Sequence, residues 1–347
     1  MTVINAIKFD KNTGAMCCDE QTTIGDVRRM MSSDKIQQIV PSAIRKNVKL
    51  EVLYGGTGTT AIGDEIRKGM KTRLTKEYEE LKNKTKERID HLKSIDEIAQ
   101  IGFEEMMKVK HRHVNDIIKG YFSFESKDFN QGFYNKDVDK KIEISQKDVK
   151  DKVFGLINWK DAEEADGIFL NAAIICGFDE TGEFKIFKLN LKTDMTCDLV
   201  PSIFETVGSG SDASQIIFAA YSGVKTLDER RNKIDRVEGI IQLIRATNAA
   251  ARFNMGVGGY FNIIYFDGTK DSPSERLVEV MDNKAKLASE LVQAYYSNYI
   301  SDNNAFEIID ELIYTRKKSF KEMNAAFLKA SKNKAKMERF LRGYKVA

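Results

Sequence analysis

The chain has 347 residues, 42% hydrophobic and 31% charged, enough to bury one large core or two smaller ones. Its 55 basic and 52 acidic residues leave a net charge of +3, and that near-balance argues against a dedicated nucleic-acid binder, which carries a basic excess on one face. No apolar run approaches the ~20 residues that cross a bilayer, and the N-terminus has no apolar signal region, so the expectation is a cytoplasmic protein with no membrane partner.

From the N-terminus, Thr2 to Phe9 is β-branched and apolar and predicts a strand. Asp10 to Gly14 reads as a turn with Gly14 at positive φ, and Ala15 to Cys18 as a second strand ending at Asp19. A polar stretch through Gly25 leads to a return strand over Asp34 to Ile39, and Pro41 to Asn47 is a connection. Val48 to Tyr54 alternates like a strand that Gly55-Gly56-Thr57-Gly58 should break. An apolar stripe at Ile62, Ile66, Met70, Leu74, Tyr78 and Leu81 predicts a helix over 61–93. Ser94 with Glu97 three residues on starts a second helix, to Ile118.

Residues 120–166 are irregular, charged and rich in aromatics, and read as an inserted lid or interface. Strands follow at Phe169 to Phe178 and Phe184 to Leu189 around a turn at 179–182. A Gly/Ser loop over 207–212 leads into helices at 213–224 and 227–251, then a strand from Tyr260 to Phe266. After Pro273 the pattern is helical, at 275–299 and 305–344. The order predicts an α+β fold of two facing antiparallel sheets, each covered by a helix pair. Its core halves lie at 2–118 and 167–270, with an insertion at 119–166 and a C-terminal helical extension at 271–347.

The four cysteines, Cys17, Cys18, Cys176 and Cys197, form no CxxC pair and read as buried reduced thiols. His111 and His113 are two apart and share no helix face, and His91 also sits in charged helix context, so no metal or cofactor is expected. Gly55-Gly56-Thr57-Gly58 lacks the Lys-Ser/Thr ending of a phosphate loop.

A strand that begins right after Met1 fixes a terminus that would otherwise fray. Thr2 opening that strand, Asp19 ending the next, the segment Thr22-Thr23-Ile24-Gly25 and Lys35 before Ile36 together resemble the start of a proteasome β subunit, one of the N-terminal-nucleophile hydrolases. Further stretches resemble that family in order. They are Gly55-Gly56-Thr57 before the first long helix, Ala172 to Leu189, Gly208-Ser209-Gly210, and Ala246 to Gly259. The resemblance covers about 2–118 and 166–267 and implies an αββα four-layer sandwich. Inactive α-type subunits carry a helical extension before the first strand; its absence favours the β-type reading.

The resemblance also implies a chemistry. A threonine hydroxyl needs a base to take its proton. Once Met1 is removed, the α-amine of Thr2 can serve, with a reference pKa of about 7.7–8.0. Lys35, balanced by Asp19, is the cation that keeps the amine neutral. The N–H of Gly55 stabilises the oxyanion, and Ser209 orients the amine and a water. The expected function is a threonine-dependent peptidase or amidohydrolase acting on a peptide or protein, with transpeptidation when an amine replaces water. Expected partners are further copies of the chain, in rings, and a regulatory ATPase. Two positions depart from the pattern: Asn254 stands for an Asp, and Val257 for the Ser of a Ser-Gly-Gly turn. They motivate the alternative, a catalytically inactive structural subunit of a homo-oligomer.

Overall fold

Alternation along the second strand sets the architecture. Within Thr13–Asp19, Met16 and Cys18 join one apolar cluster while Ala15 and Cys17 join another on the opposite face. A strand buried on both faces must have a packed layer on each side. The computed structural model describes residues 2–24, 28–31, 35–84, 94–137, 140–158, 171–190 and 196–341.

The strands are β1 (Ile4–Lys8), β2 (Thr13–Asp19), β3 (Gln21–Ile24), β4 (Arg28–Met31), β5 (Ile36–Gln38), β6 (Glu51–Thr57), β7 (Phe133–Asp137), β8 (Lys140–Glu143), β9 (Ala172–Phe178), β10 (Lys185–Asn190), β11 (Thr196–Leu199), β12 (Phe204–Val207), β13 (Phe261–Asp267) and β14 (Leu277–Val280). The helices are α1 (Ser42–Arg45), α2 (Thr60–Lys84), α3 (Ile95–Phe122), α4 (Ser126–Gln131), α5 (Lys147–Asn158), α6 (Ser211–Gly223), α7 (Leu227–Asn232), α8 (Arg236–Phe253), α9 (Pro273–Arg276), α10 (Asp282–Tyr296), α11 (Asp302–Asp310), α12 (Phe320–Ala330) and α13 (Lys334–Leu341), with a π-turn at Glu311–Thr315.

Two five-stranded sheets dominate, ordered β12-β1-β2-β13-β14 and β11-β10-β9-β6-β5, with every pairing antiparallel. Between them lies one apolar cluster that includes Ile4, Met16 and Ile264 from the first sheet and Leu53, Ile174 and Ile186 from the second. The other face of the first sheet packs on α6, α8, α10 and the helices after them, through Phe218, Ile244 and Leu291. The other face of the second packs on α2 and α3, through Ile66, Met70, Ile98 and Ile101. The chain is thus α+β with antiparallel sheets.

Several expectations change. Gly14 lies within β2 without positive φ, because the turn is made by Asp10, whose Oδ1 accepts the N–H groups of Asn12 and Thr13. A β-carbon at Gly14 would stand 2.1 Å from a ring carbon of Phe184. Gly55 and Gly56 do not break β6, which runs to Thr57, because β5 and β9 hold its backbone from both sides. The expected helix at 227–251 is two, with Asp235 capping the second through Val237 and Glu238 N–H. The region after Pro273 is not all helix, since β14 extends the first sheet through β13. The described part of 120–166 is not irregular. It holds α4, the β7–β8 hairpin and α5 around a cluster of Val114, Ile118, Phe124, Ile144 and Val153. Asp34, Gly25, His91 and the end of the helix expected to reach residue 93 lie outside the described residues.

Two glycines should respond to alanine with opposite signs. Gly14→Ala forces Phe184 to move and should destabilise by about 1–3 kcal/mol. Gly63→Ala, in α2 with open space around the new β-carbon, should stabilise by about 0.4–1 kcal/mol. Urea unfolding of both variants measures the two shifts.

Candidate functional site

The site is built where β1 starts, β2 ends and the turn after α8 returns to the sheet. The carboxylate of Asp19 is fully buried and its partners come from three segments. Its Oδ1 accepts Lys35 Nζ at 2.7 Å and the Val3 N–H at 3.0 Å, and its Oδ2 accepts the Gly258 N–H at 3.0 Å. The Lys35 side chain is 9% exposed, and its ammonium also donates to the Gln21 carbonyl at 2.5 Å. A buried ion pair is tolerable when its remaining hydrogen-bonding capacity is filled, and here the carboxylate has three donors.

Thr2 lies one residue before this anchor. Its nitrogen donates to Ser209 Oγ at 3.2 Å, and its carbonyl accepts the Gly210 N–H at 3.2 Å. Gly208, just before Ser209, has φ +103°, and a β-carbon there would lie 2.2 Å from the Thr2 carbonyl oxygen. Only glycine lets the loop come this close. Asn254, the C-cap of α8, donates from Nδ2 to the Ser209 carbonyl at 2.9 Å, while its Oδ1 accepts the Gly256 N–H at 2.9 Å. Gly55 stands opposite Ile36, and the neighbouring Gly56 N–H donates to the Lys35 carbonyl at 3.3 Å. A β-carbon on Gly55 would fall 2.4 Å from Met16 Cε.

Thr2 and Asn254 both bond Ser209, Asp19 bonds Lys35, and the Val3 N–H on Asp19 links the two groups, while Gly55 stands opposite Ile36, the residue after Lys35. Sequence reasoning did not single out the Val3 and Gly258 N–H donors, nor Gln21, whose Nε2 donates to the Met255 carbonyl at 3.2 Å. Backbone donors have no residue-type signature. The pair Gly258-Gly259 was the one available signal for the turn.

Val257 is buried and packs with Val3 and Ala250, so this side of the site is dry. Glu20 adjoins the pair. Burial and the Asp282 carboxylate raise its carboxyl above the usual range, with Lys35 acting in opposition. Burial pushes the Cys17 thiol up to about 12 and the Cys18 thiol well above its ordinary value. Neither is a thiolate nucleophile near neutral pH. Among the described residues, no three His, Cys, Asp or Glu side chains form a metal-binding group, and no helix is long and apolar enough to cross a membrane.

No family model matches the chain, and no curated protein matches it either. Solved structures do. An Anbu (Gly-1) mutant from Hyphomicrobium sp. strain MC1 aligns with TM-score 0.51 and 11% identity over 86% of this chain and 96% of its own. Anbu (ancestral beta-subunit) from Yersinia bercovieri aligns with TM-score 0.49 and 10% identity over 81% and 88%. At such identities the Hyphomicrobium match shows a shared fold and nothing finer. These findings correct the resemblance to proteasome β subunits. Neither a family model nor a curated relative places the chain among N-terminal-nucleophile hydrolases, and the structure whose fold it shares is an Anbu protein, proteasome-like only in a loose sense. The motifs behind the resemblance are short, and turn glycines and strand-end acids recur wherever the same backbone geometry does.

Removing one partner of the buried pair leaves the other uncompensated. Asp19→Asn and Lys35→Met should each destabilise by about 3–5 kcal/mol, and the double variant by clearly less than their sum. Guanidinium unfolding of the four proteins gives the coupling directly.

Proposed function

We propose that the chain is a threonine-dependent amidohydrolase or peptidase whose nucleophile is Thr2 after removal of Met1, a residue outside the described ones. The observation that carries this reading is the Thr2 nitrogen on Ser209 Oγ at 3.2 Å, beside a chain start pinned to the same carboxylate oxygen that holds Lys35. With Met1 gone, that nitrogen is an amine. It takes the proton of its own hydroxyl as Oγ bonds to the amide carbon, and returns it to the departing amine as the C–N bond breaks. Water then cleaves the ester, its proton passing to the same amine; a second amine in place of water gives transpeptidation. The Lys35 ammonium disfavours a second positive charge nearby and so favours the neutral amine. Gly55, the expected oxyanion donor, lies inside β6 between Ile36 and Ile174, so its N–H faces a neighbouring strand and no oxyanion donor is assigned in this scheme. Asn254 fixes Ser209 through its carbonyl and keeps a polar clamp, without charge, at the position where an acid was expected.

An αββα layering fits this reading. Three apolar clusters support it, one between the sheets and one beneath each helical face. We also infer that copies of the chain associate. Ile216, Val224 and Leu227 are 69%, 81% and 55% exposed along α6 and the start of α7, an apolar stripe of the kind that marks contact surfaces.

The second reading, a structural subunit without turnover, is favoured by Val257, whose apolar packing against Val3 leaves no hydroxyl at that corner. Intact mass before and after an acylating β-lactone separates the two. The expected outcome is loss of Met1 and one adduct, absent in Thr2→Ala and formed about 10–100-fold more slowly in Ser209→Ala. Retained Met1 with no adduct would sink the enzyme reading.

Sedimentation velocity checks the association. Ile216→Glu with Val224→Glu should shift the unmodified protein's distribution toward a smaller species without changing its melting temperature.

A further inference from the structure

On the outer side of the first sheet, α6, α8 and α10 line a cleft of about 260 Å³, just below the usual size of ligand pockets. Helical spacing places Arg245, Asn248, Ala249 and Arg252 of α8 along its wall, facing Val292, Gln293 and Tyr296 of α10. Ile217 and Phe253 complete an apolar side.

The polar side is held in place. The Arg245 guanidinium lies 3.9 Å above the Tyr296 ring, and the Tyr296 hydroxyl accepts Gln242 Nε2 at 2.6 Å, which leaves its own proton to donate. Arg252 donates to Gln293 Oε1 at 3.0 Å, and Gln293 in turn donates to Asn248 Oδ1 at 3.2 Å. Asn248 Oδ1 also accepts Ser289 Oγ at 2.7 Å. Among the described residues, no carboxylate lines the cleft. Arg252 sits in the last turn of α8, where a cation suits the helix dipole. That reason does not extend to Arg245, two turns earlier, which is stacked on an aromatic face and turned toward the cleft.

We propose that this cleft binds a small organic carboxylate with an apolar body, its anion between Arg245 and Arg252 and its body against Ile217, Val292 and Phe253. A planar carboxylate matches the guanidinium fork, and the stacked arginine is already oriented, so little side-chain freedom is lost on binding.

The probe is 3-phenylpropionate, titrated calorimetrically into the full chain, with 3-phenylpropan-1-ol and inorganic phosphate as comparisons. Saturable binding is expected, about tenfold or more tighter than for either comparison and weakening as salt rises. Arg245→Gln with Arg252→Gln should weaken it about tenfold or more at unchanged melting temperature. Equal binding of the alcohol overturns the anion's role, equal binding of phosphate overturns the apolar body's, and unchanged binding in the folded double variant overturns the location. Should that variant not fold, hydrogen exchange of the unaltered protein decides. Probe-induced protection within 245–253 and 292–297 supports the site, and protection elsewhere or none overturns it.

Discussion

One carboxylate gathers the N-terminal end of the molecule. Asp19 is wholly buried and bonds a side-chain ammonium from the start of β5, a backbone N–H from the start of β1 and another from the turn after α8. A charge this deep is held there only while all three donors stay in place. Each donor in turn fixes a different segment: Lys35 the first turn of the second sheet, Val3 the residue after Thr2, and Gly258 the backbone that reaches Gln21. The position of Thr2 beside Ser209 follows from these constraints rather than from contacts of its own alone.

A second buried carboxylate does similar work across the sheets. Glu51 in β6 bonds Arg45 at 2.5 Å and lies 3.6 Å from the Arg276 guanidinium, which also donates to the carbonyls of Val48 and Arg45. Arg276 belongs to the segment just before β14. The part of the chain after Pro273 is thereby stitched to the second sheet by charge as well as to the first by strand pairing. It behaves as part of the body, not as an appended tail.

Much of this was legible in the residues. Runs of β-branched and apolar residues gave β1, β2 and β13, an apolar stripe at helical spacing gave α2, and a capping box gave the start of α3, because local preference and burial agree there. Asp19, Lys35, Ser209 and Asn254 were reached only through their places in the motifs that resemble proteasome β subunits; by residue type alone, Asp19 and Lys35 read as a turn acid and a surface lysine. What stayed hidden depends on partners distant in sequence. β6 continues through Gly55-Gly56 because β5 and β9 flank it, and β14 is a strand only because β13 offers an edge. The short strands β11 and β12 carry too few residues to declare a period. The family assignment went astray for a related reason: short motifs report backbone geometry, and geometry is shared more widely than ancestry or activity.

The order of strands has a consequence for synthesis. In the first sheet β1 lies between β2 and β12, with Ile4 opposite Val207, and β2 lies against β13, with Asp19 opposite Phe261. The opening hairpin therefore emerges from the ribosome some 200 or more residues ahead of the strands that flank it, a delay of roughly 10–50 s at ordinary elongation rates. During that interval both apolar faces of β2 and its two thiols lack their final cover, and the aspartate at its end lacks the turn that completes its shell. The nascent chain thus passes through its most aggregation-prone point with the opening hairpin still uncovered.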